Sequence, residues 1–66
     1  MTIKRGRVYI DLKQYEKALA DYNKAIEIYS NLAIAYYGRG FCYQALSKTE
    51  KAKVDFAMAT KLGYKG

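Results

Sequence analysis

The 66-residue chain has no histidine, no proline and a single cysteine, Cys42. Without histidine, the side chain that most often transfers protons in enzymes is missing, and one cysteine without a histidine base is a poor candidate nucleophile. The six carboxylates are spread singly, and the sequence contains neither a glycine-rich phosphate loop nor a cluster of metal ligands. We therefore expect a protein that is not an enzyme and that has no catalytic residue, cofactor or metal site.

The low cysteine and proline content also indicates the cellular compartment and the number of domains. A single cysteine cannot form an internal disulfide, which fits a reducing compartment and favours the cytoplasm. Without proline, no segment is typical of a linker or of low-complexity sequence. No apolar run approaches the ~20 residues that span a bilayer, and the basic start lacks the apolar stretch of a signal peptide. We expect one domain, residues 1–66, with no membrane span.

The charge is unbalanced, with a net value of +6. Residues 35–66 carry six basic and two acidic side chains. Such an excess can indicate an acidic peptide, a nucleic acid or a membrane surface as the partner. It is also typical of a solvated helix face, and we favour this second interpretation because the lysines alternate with Glu50 and Asp55 rather than forming blocks.

Residues 5–28 recur 34 positions later, and a fixed period of this length is typical of a repeat array. Such arrays present surfaces to partners. Two repeats are fewer than the roughly three that usually fold stably, so we expect marginal stability, self-association or a piece of a longer array. The identical pairs are Arg5/Arg39, Gly6/Gly40, Tyr9/Tyr43, Leu12/Leu46, Glu16/Glu50, Lys17/Lys51, Ala18/Ala52, Asp21/Asp55 and Ala25/Ala59, and Tyr22/Phe56 and Ile28/Leu62 are near-identical.

The apolar residues follow the i, i+3, i+4, i+7 spacing of amphipathic helices. This spacing predicts helices over about 2–12, 15–29, 32–46 and 48–62, which form two antiparallel hairpins of an all-α fold. One predicted stripe contains Tyr15, Ala18, Leu19, Tyr22, Ala25, Ile26 and Tyr29, and the other contains Leu32, Ala35, Tyr36, Arg39, Gly40, Tyr43 and Leu46, with Arg39 as its polar exception.

Local signals predict how the helices begin, end and pack. Ser47 and Glu50 have the spacing of a capping box, Asn31 is a candidate N-cap, and Gly63 suits the left-handed end of the last helix. Glycine inside a helix costs ~1 kcal/mol relative to alanine. We therefore expect Gly6 and Gly40 to be kept because a missing side chain lets a neighbouring helix approach.

These residues resemble the tetratricopeptide repeat family. The resemblance implies a short right-handed α-solenoid of two stacked hairpins, with repeats at about 1–32 and 33–66. It departs from the family at Lys53, where an aliphatic is usual, and at Ser30 and Tyr64, where a proline is usual. The matching positions are Gly6, Tyr9, Tyr15, Ala18, Tyr22 and Ala25 in the first repeat and Ala33, Tyr36, Gly40, Tyr43, Ala52, Phe56 and Ala59 in the second.

By this resemblance, the first helix of each repeat lines a concave groove that binds an extended or helical peptide of a partner protein. Independently of it, Tyr37 and Phe41 are four residues apart and so share a helix face, and with Arg7 they would form an anchor of the kind enriched in binding hot spots. The positions matching the family's groove are Ile3, Arg7, Ile10, Asp11, Ile34, Tyr37, Phe41, Gln44 and Ala45.

The charge of the partner and the kind of partner stay open. One branch of the family clamps acidic C-termini, but Arg7 and Gly38 stand where that clamp has asparagines; Arg7 and Arg39 could still meet an acidic ligand. Alternatively, Tyr37 and Phe41 pack against a neighbouring helix or a second copy, as in a self-associating scaffold fragment. A nucleic-acid or anionic-surface binder is less favoured, because most tyrosines lie on core positions and no RNA-binding motif is present.

Overall fold

Four α-helices follow one another along the chain in the computed structural model, which describes residues 2–64 and the side chains of residues 5–64. The helices are α1 (Thr2–Asp11), α2 (Tyr15–Ile28), α3 (Ala33–Ala45) and α4 (Thr49–Lys61). Consecutive helices pack together, so α1 and α2 form one hairpin, α3 and α4 form another, and α2 and α3 join them. The predicted helices begin and end within one residue of these bounds, which confirms the all-α fold. Within residues 2–64, no helix has the length and apolarity to cross a membrane.

The ring of Tyr22 is the centre of the packing between the two hairpins. It is 3% exposed, and it lies between glycines of α1 and α3. A Cβ atom at Gly6 would come within 3.0 Å of Cε2 of this ring, and one at Gly38 would come within 2.3 Å of Cζ and 2.5 Å of Cε1. Both glycines thus lie in close contact with the outer end of the ring, and a Cβ atom at either position would crowd it, most severely at Gly38.

The second hairpin repeats half of this arrangement. A Cβ atom at Gly40 would lie 2.9 Å from the Phe56 ring and 3.3 Å from the carbonyl oxygen of Ala52. The predicted packing role of Gly6 and Gly40 is therefore confirmed, whereas the still tighter approach at Gly38 was not predicted. Alanines line the second helix of both hairpins and are buried, as the small positions predicted: Ala18, Ala25, Ala52 and Ala59.

An arginine–aspartate pair joins the two helices of each hairpin. Nε and Nη2 of Arg39 each donate to one carboxylate oxygen of Asp55 at 2.8 Å, and Arg5 contacts Asp21 in the same way at 2.9 Å. Arg39 also donates from Nη1 to the side-chain oxygen of Asn23 at 3.1 Å, which links the second hairpin to α2. The hydrogen bonds to Asp55 raise the pKa of the Arg39 guanidinium above its ordinary value. The polar exception in the apolar stripe is thus explained, since a buried carboxylate needs a partner.

The predicted N-terminal caps are wrong. Ser47 has φ of 64° and does not cap α4; the residue before α4 is Lys48, and α4 has no side-chain capping hydrogen bond. The residue before α3 is Leu32 rather than Asn31, and it also has no side-chain cap. The reason is that Ser47 is the left-handed residue that ends α3, and this backbone conformation keeps its side chain out of the capping position of α4.

Three helices instead end in the same backbone motif. At the end of α3, the amide of Lys48 donates to the carbonyl of Tyr43 at 2.7 Å, and the amide of Ser47 donates to Gln44 at 3.1 Å. This is the Schellman pattern, which needs a left-handed residue after the helix. Lys13 and Ser47 supply it with φ of 60° and 64°, and Gly63 supplies it at the end of α4 with φ of 100°, as predicted.

One residue of the first apolar stripe is not in the core. Tyr29 is 55% exposed because α2 ends at Ile28, so the helical periodicity no longer directs its side chain inwards. The stripe therefore ends with Ile26, which is half-buried against the core.

Substitution of Gly38 by alanine should destabilise the chain more than substitution of Gly6. Overpacking costs about 1–3 kcal/mol, and at Gly38 it outweighs the ~1 kcal/mol that alanine returns in helix propensity. Urea denaturation followed by circular dichroism measures both variants. If Gly38→Ala were as stable as Gly6→Ala or more so, the close approach of Tyr22 would not be what requires glycine.

Glycine at the two strained helix ends should have the opposite effect. Ser47→Gly and Lys13→Gly remove a left-handed strain of roughly 1–2 kcal/mol and add some unfolded-state entropy, so we expect the free energy of unfolding to rise by up to about 1 kcal/mol. Lys53→Gly, at an exposed position within α4, is the control and should lose about 1 kcal/mol. A loss of stability in all three variants would contradict the strained turn geometry.

Candidate functional site

A cleft of about 460 Å³ opens where α1 and α3 lie beside the end of α4. Its size is within the roughly 300–1,000 Å³ of ligand pockets. The structure brings six of the nine predicted groove residues together in this cleft, and adds three that were not predicted to line it. The lining residues are Arg7, Ile10, Asp11, Tyr22, Ile34, Tyr37, Gly38, Phe41 and Tyr64.

The apolar part of the cleft comes from one face of each first helix. Ile34, Tyr37 and Phe41 are 43%, 37% and 41% exposed, and they are one helical turn apart on α3. Ile10 faces them from α1. Large apolar side chains that stay this exposed in a contiguous patch make this face a candidate interaction surface.

The polar part of the cleft is a pair of opposite charges on α1. Arg7 and Asp11 are both exposed and four residues apart on α1. Within residues 5–64 neither forms a salt bridge, whereas Arg5 and Arg39 are each held by an aspartate. Arg39 was predicted to be able to meet an acidic ligand, but its pairing with Asp55 engages it, and only Arg7 lines the cleft. The cleft can therefore offer one cation and one anion to a ligand.

Tyr22 belongs to both the core and the cleft. Its ring is buried between the two glycines, while it also lines the cleft. Burial of the ring raises the pKa of Tyr22 above its ordinary value, which keeps the hydroxyl protonated. The core stripe identified Tyr22 as a packing residue, but helical periodicity could not show that its outer end reaches the cleft.

The remaining predicted residues differ in placement. Gln44 and Ala45 are exposed but do not line the cleft, since they lie at the end of α3 where the helix extends past it. Ile3 lies in α1, but its side chain is outside the described residues. Gly38 lines the cleft as bare backbone beside Tyr22.

Tyr37 both packs against other rings of the chain and lines the cleft, the two alternatives that the sequence left open. Its ring centroid lies 5.4 Å from that of Phe56 and 4.5 Å from that of Tyr64, so one side of the ring is packed within the chain. The rest of the ring faces the cleft. Phe41 has no such ring partner among the described residues and is the more open of the two aromatics.

Three side chains outside the cleft make packing contacts within the chain. Cys42 is fully buried as a free thiol, and burial raises its pKa to about 11, so it is not an activated nucleophile. The ammonium groups of Lys17 and Lys51 lie 5.9 and 5.7 Å from the ring centroids of Tyr9 and Tyr43. These two cation–π contacts are 34 residues apart, and they place both lysines along the helix surface.

Comparison with known proteins agrees with the repeat geometry. A family model described as TPR repeat matches residues 6–47. The chain is 37% identical over 60 residues to a protein named "Protein SGT1 homolog" of Dictyostelium discoideum, an alignment that covers 91% of this chain and 16% of that protein. The chain thus spans about one sixth of the length of this curated relative. No solved structure matches the chain. The family model covers more than half of the chain, and with the two matching hairpins this shows that the chain belongs to the tetratricopeptide repeat family, whose repeats are generally protein–protein interaction modules.

Proposed function

We propose that the chain is a non-catalytic module of one domain that binds a peptide segment or helix of a partner protein in the cleft between α1 and α3. The observation that carries the proposal is the exposed apolar face of Ile34, Tyr37 and Phe41 opposite Ile10, bordered by Arg7 and Asp11. Such a surface combines an apolar anchor site with polar groups at its edge, which is the usual anatomy of a binding interface.

The charges of the cleft favour a ligand with an apolar anchor and a polar flank. Arg7 can pair with a carboxylate of the ligand, and Asp11 can accept from its amides or pair with a cation. A ligand that is acidic throughout would satisfy Arg7 but would be repelled by Asp11. An internal segment of mixed charge therefore fits better than a uniformly acidic one, because charge complementarity across an interface mainly sets its specificity.

Self-association is the second candidate, and the exposed apolar residues outside the cleft favour it. Val8 is 52% exposed, although Cys42, 34 residues later, is fully buried against α2. A second copy could in principle place its α1 on α4 as α3 is placed on α2. That geometry needs glycine where Gly38 approaches the aromatic ring, however, and the residue 34 positions before Gly38 is Lys4. Stacking of copies in the register of the repeats is thus disfavoured, and cleft binding is the better proposal.

Phe41→Ala should weaken ligand binding without unfolding the chain. Peptides selected from a random library on the unmodified chain serve as ligands, and fluorescence polarisation measures their affinity. Loss of a central aromatic anchor costs about 2 kcal/mol or more, so we expect at least about a thirtyfold loss of affinity. Val54→Ala is the matched control, since Val54 is 66% exposed on α4 and does not line the cleft. Equal affinity of the Phe41→Ala and Val54→Ala variants would argue against the cleft as the binding site.

Ionic strength separates a peptide ligand from a polyanion. A peptide that pairs only with Arg7 and Asp11 should lose less than about tenfold in affinity between low and physiological salt, whereas a nucleic acid that neutralises six or more lysines loses roughly a thousandfold or more. Titrations of the selected peptides and of a double-stranded DNA oligonucleotide over a salt series measure both. Tight, steeply salt-dependent oligonucleotide binding, together with weak peptide binding, would favour the anionic-surface reading instead.

A further inference from the structure

The ring of Tyr64 closes one end of the cleft, although this residue lies after the last helix. Gly63 adopts φ of 100°, and the amide of Tyr64 donates to the carbonyl of Ala59 at 2.9 Å, so the chain turns back as α4 ends. The Tyr64 ring then lies 4.5 Å from the Tyr37 ring at 31°, and both rings line the cleft. Rings at this separation are in contact, so no ligand group can pass between them.

Behind this pair, the Tyr37 ring contacts Phe56 at a centroid distance of 5.4 Å. Phe56 is part of the packing of α4 against Gly40. The three rings of Tyr64, Tyr37 and Phe56 therefore form a continuous row from the outer edge of the cleft to the interior of the second hairpin. We call Tyr37 and Tyr64 the aromatic wall.

The aromatic wall is not a property of the repeat. The positions 34 residues earlier are Ile3 and Ser30, so the first repeat has no tyrosine at either of them. The chain near Ser30 is used differently, since its carbonyl accepts a hydrogen bond from the Tyr36 hydroxyl at 3.0 Å. The two ends of the cleft thus differ: Arg7 and Asp11 border it on α1, and the aromatic wall borders it near α4.

Building on the proposed peptide binding, we infer that Tyr64 is a specificity-determining residue that limits which large apolar side chain of the partner peptide enters the cleft. The anchor side chain lies on Ile34 and Phe41, with its end against the aromatic wall and its polar flank near Arg7 and Asp11. Removing the Tyr64 ring lengthens the cleft at the α4 end, so larger anchors become acceptable and the original anchors lose contact area. The Tyr64 hydroxyl has no hydrogen bond to another described residue, so the ring rather than the hydroxyl carries the effect.

Library selection on matched variants of the full chain tests this inference. A random peptide library is selected separately on the unmodified chain and on Tyr64→Ala, Tyr64→Phe and Ser30→Ala, the last being the equivalent position of the first repeat. We expect the unmodified chain, Tyr64→Phe and Ser30→Ala to select the same anchor residue. Tyr64→Ala should select a larger one and should bind the original peptides at least about tenfold more weakly.

A negative result for Tyr64 and a negative result for peptide binding can be told apart. If Tyr64→Ala selects the same anchors and binds them within about threefold of the unmodified chain, less than about 0.7 kcal/mol, the inference on Tyr64 is wrong while peptide binding stands. If the unmodified chain selects no peptide whose binding depends on Phe41, the proposed function is wrong and this inference falls with it. Circular dichroism checks that each variant is folded. If Tyr64→Ala loses helicity, Tyr64→Leu replaces it, because leucine keeps an apolar contact with Tyr37 but shortens the aromatic wall. We expect Tyr64→Leu to select a larger anchor residue as well.

Discussion

The contact of one ring with two glycines sets the geometry on which the rest of the molecule depends. Tyr22 in α2 can lie between α1 and α3 only because Gly6 and Gly38 present bare backbone to its ring. This contact fixes the distance between the first helices of the two repeats, and that distance is the width of the cleft. A 66-residue chain has little other apolar area to hold such a spacing, since small domains bury a smaller share of their surface.

The paired ions divide the arginines into two classes. Arg5 and Arg39 are bound bidentately by Asp21 and Asp55, and such fork-like pairs fix orientation as well as charge. They hold the helices of each hairpin together and so pair two of the basic residues with buried carboxylates. Arg7, which lies two residues after Arg5 on α1, has no such aspartate among the described residues. The excess of positive charge is therefore not a measure of how basic the cleft is.

The 34-residue period predicted the four helices, and the unpredicted features are those that depend on contacts between helices or on the backbone at a helix end. The four helices and the packing of Gly6 and Gly40 follow from a 34-residue register and helical spacing. The Arg39–Asp55 pair joins residues 16 positions apart on different helices, so no single helix face shows it. Ser47 looked like a cap because its side chain suits one, but the Schellman geometry of the preceding helix had already fixed its backbone. Tyr64 breaks the repeat, and its position in the cleft depends on the turn at Gly63.

Binding and repeat packing share Tyr22, and this has a consequence for how the module behaves. The proposed ligand contacts α1 and α3 together, and these helices keep their spacing only while the Tyr22 ring separates them. The cleft therefore exists only in the folded two-repeat state, and a ligand that binds this state alone stabilises it, by about 2.7 kcal/mol at a hundredfold excess over its Kd. In a chain of two repeats such a contribution is comparable to the effect of a core substitution. In the proposed binding mode the ligand thus becomes part of the packing between the repeats, and a substitution of Tyr22 should change the affinity of the cleft and the stability of the fold together.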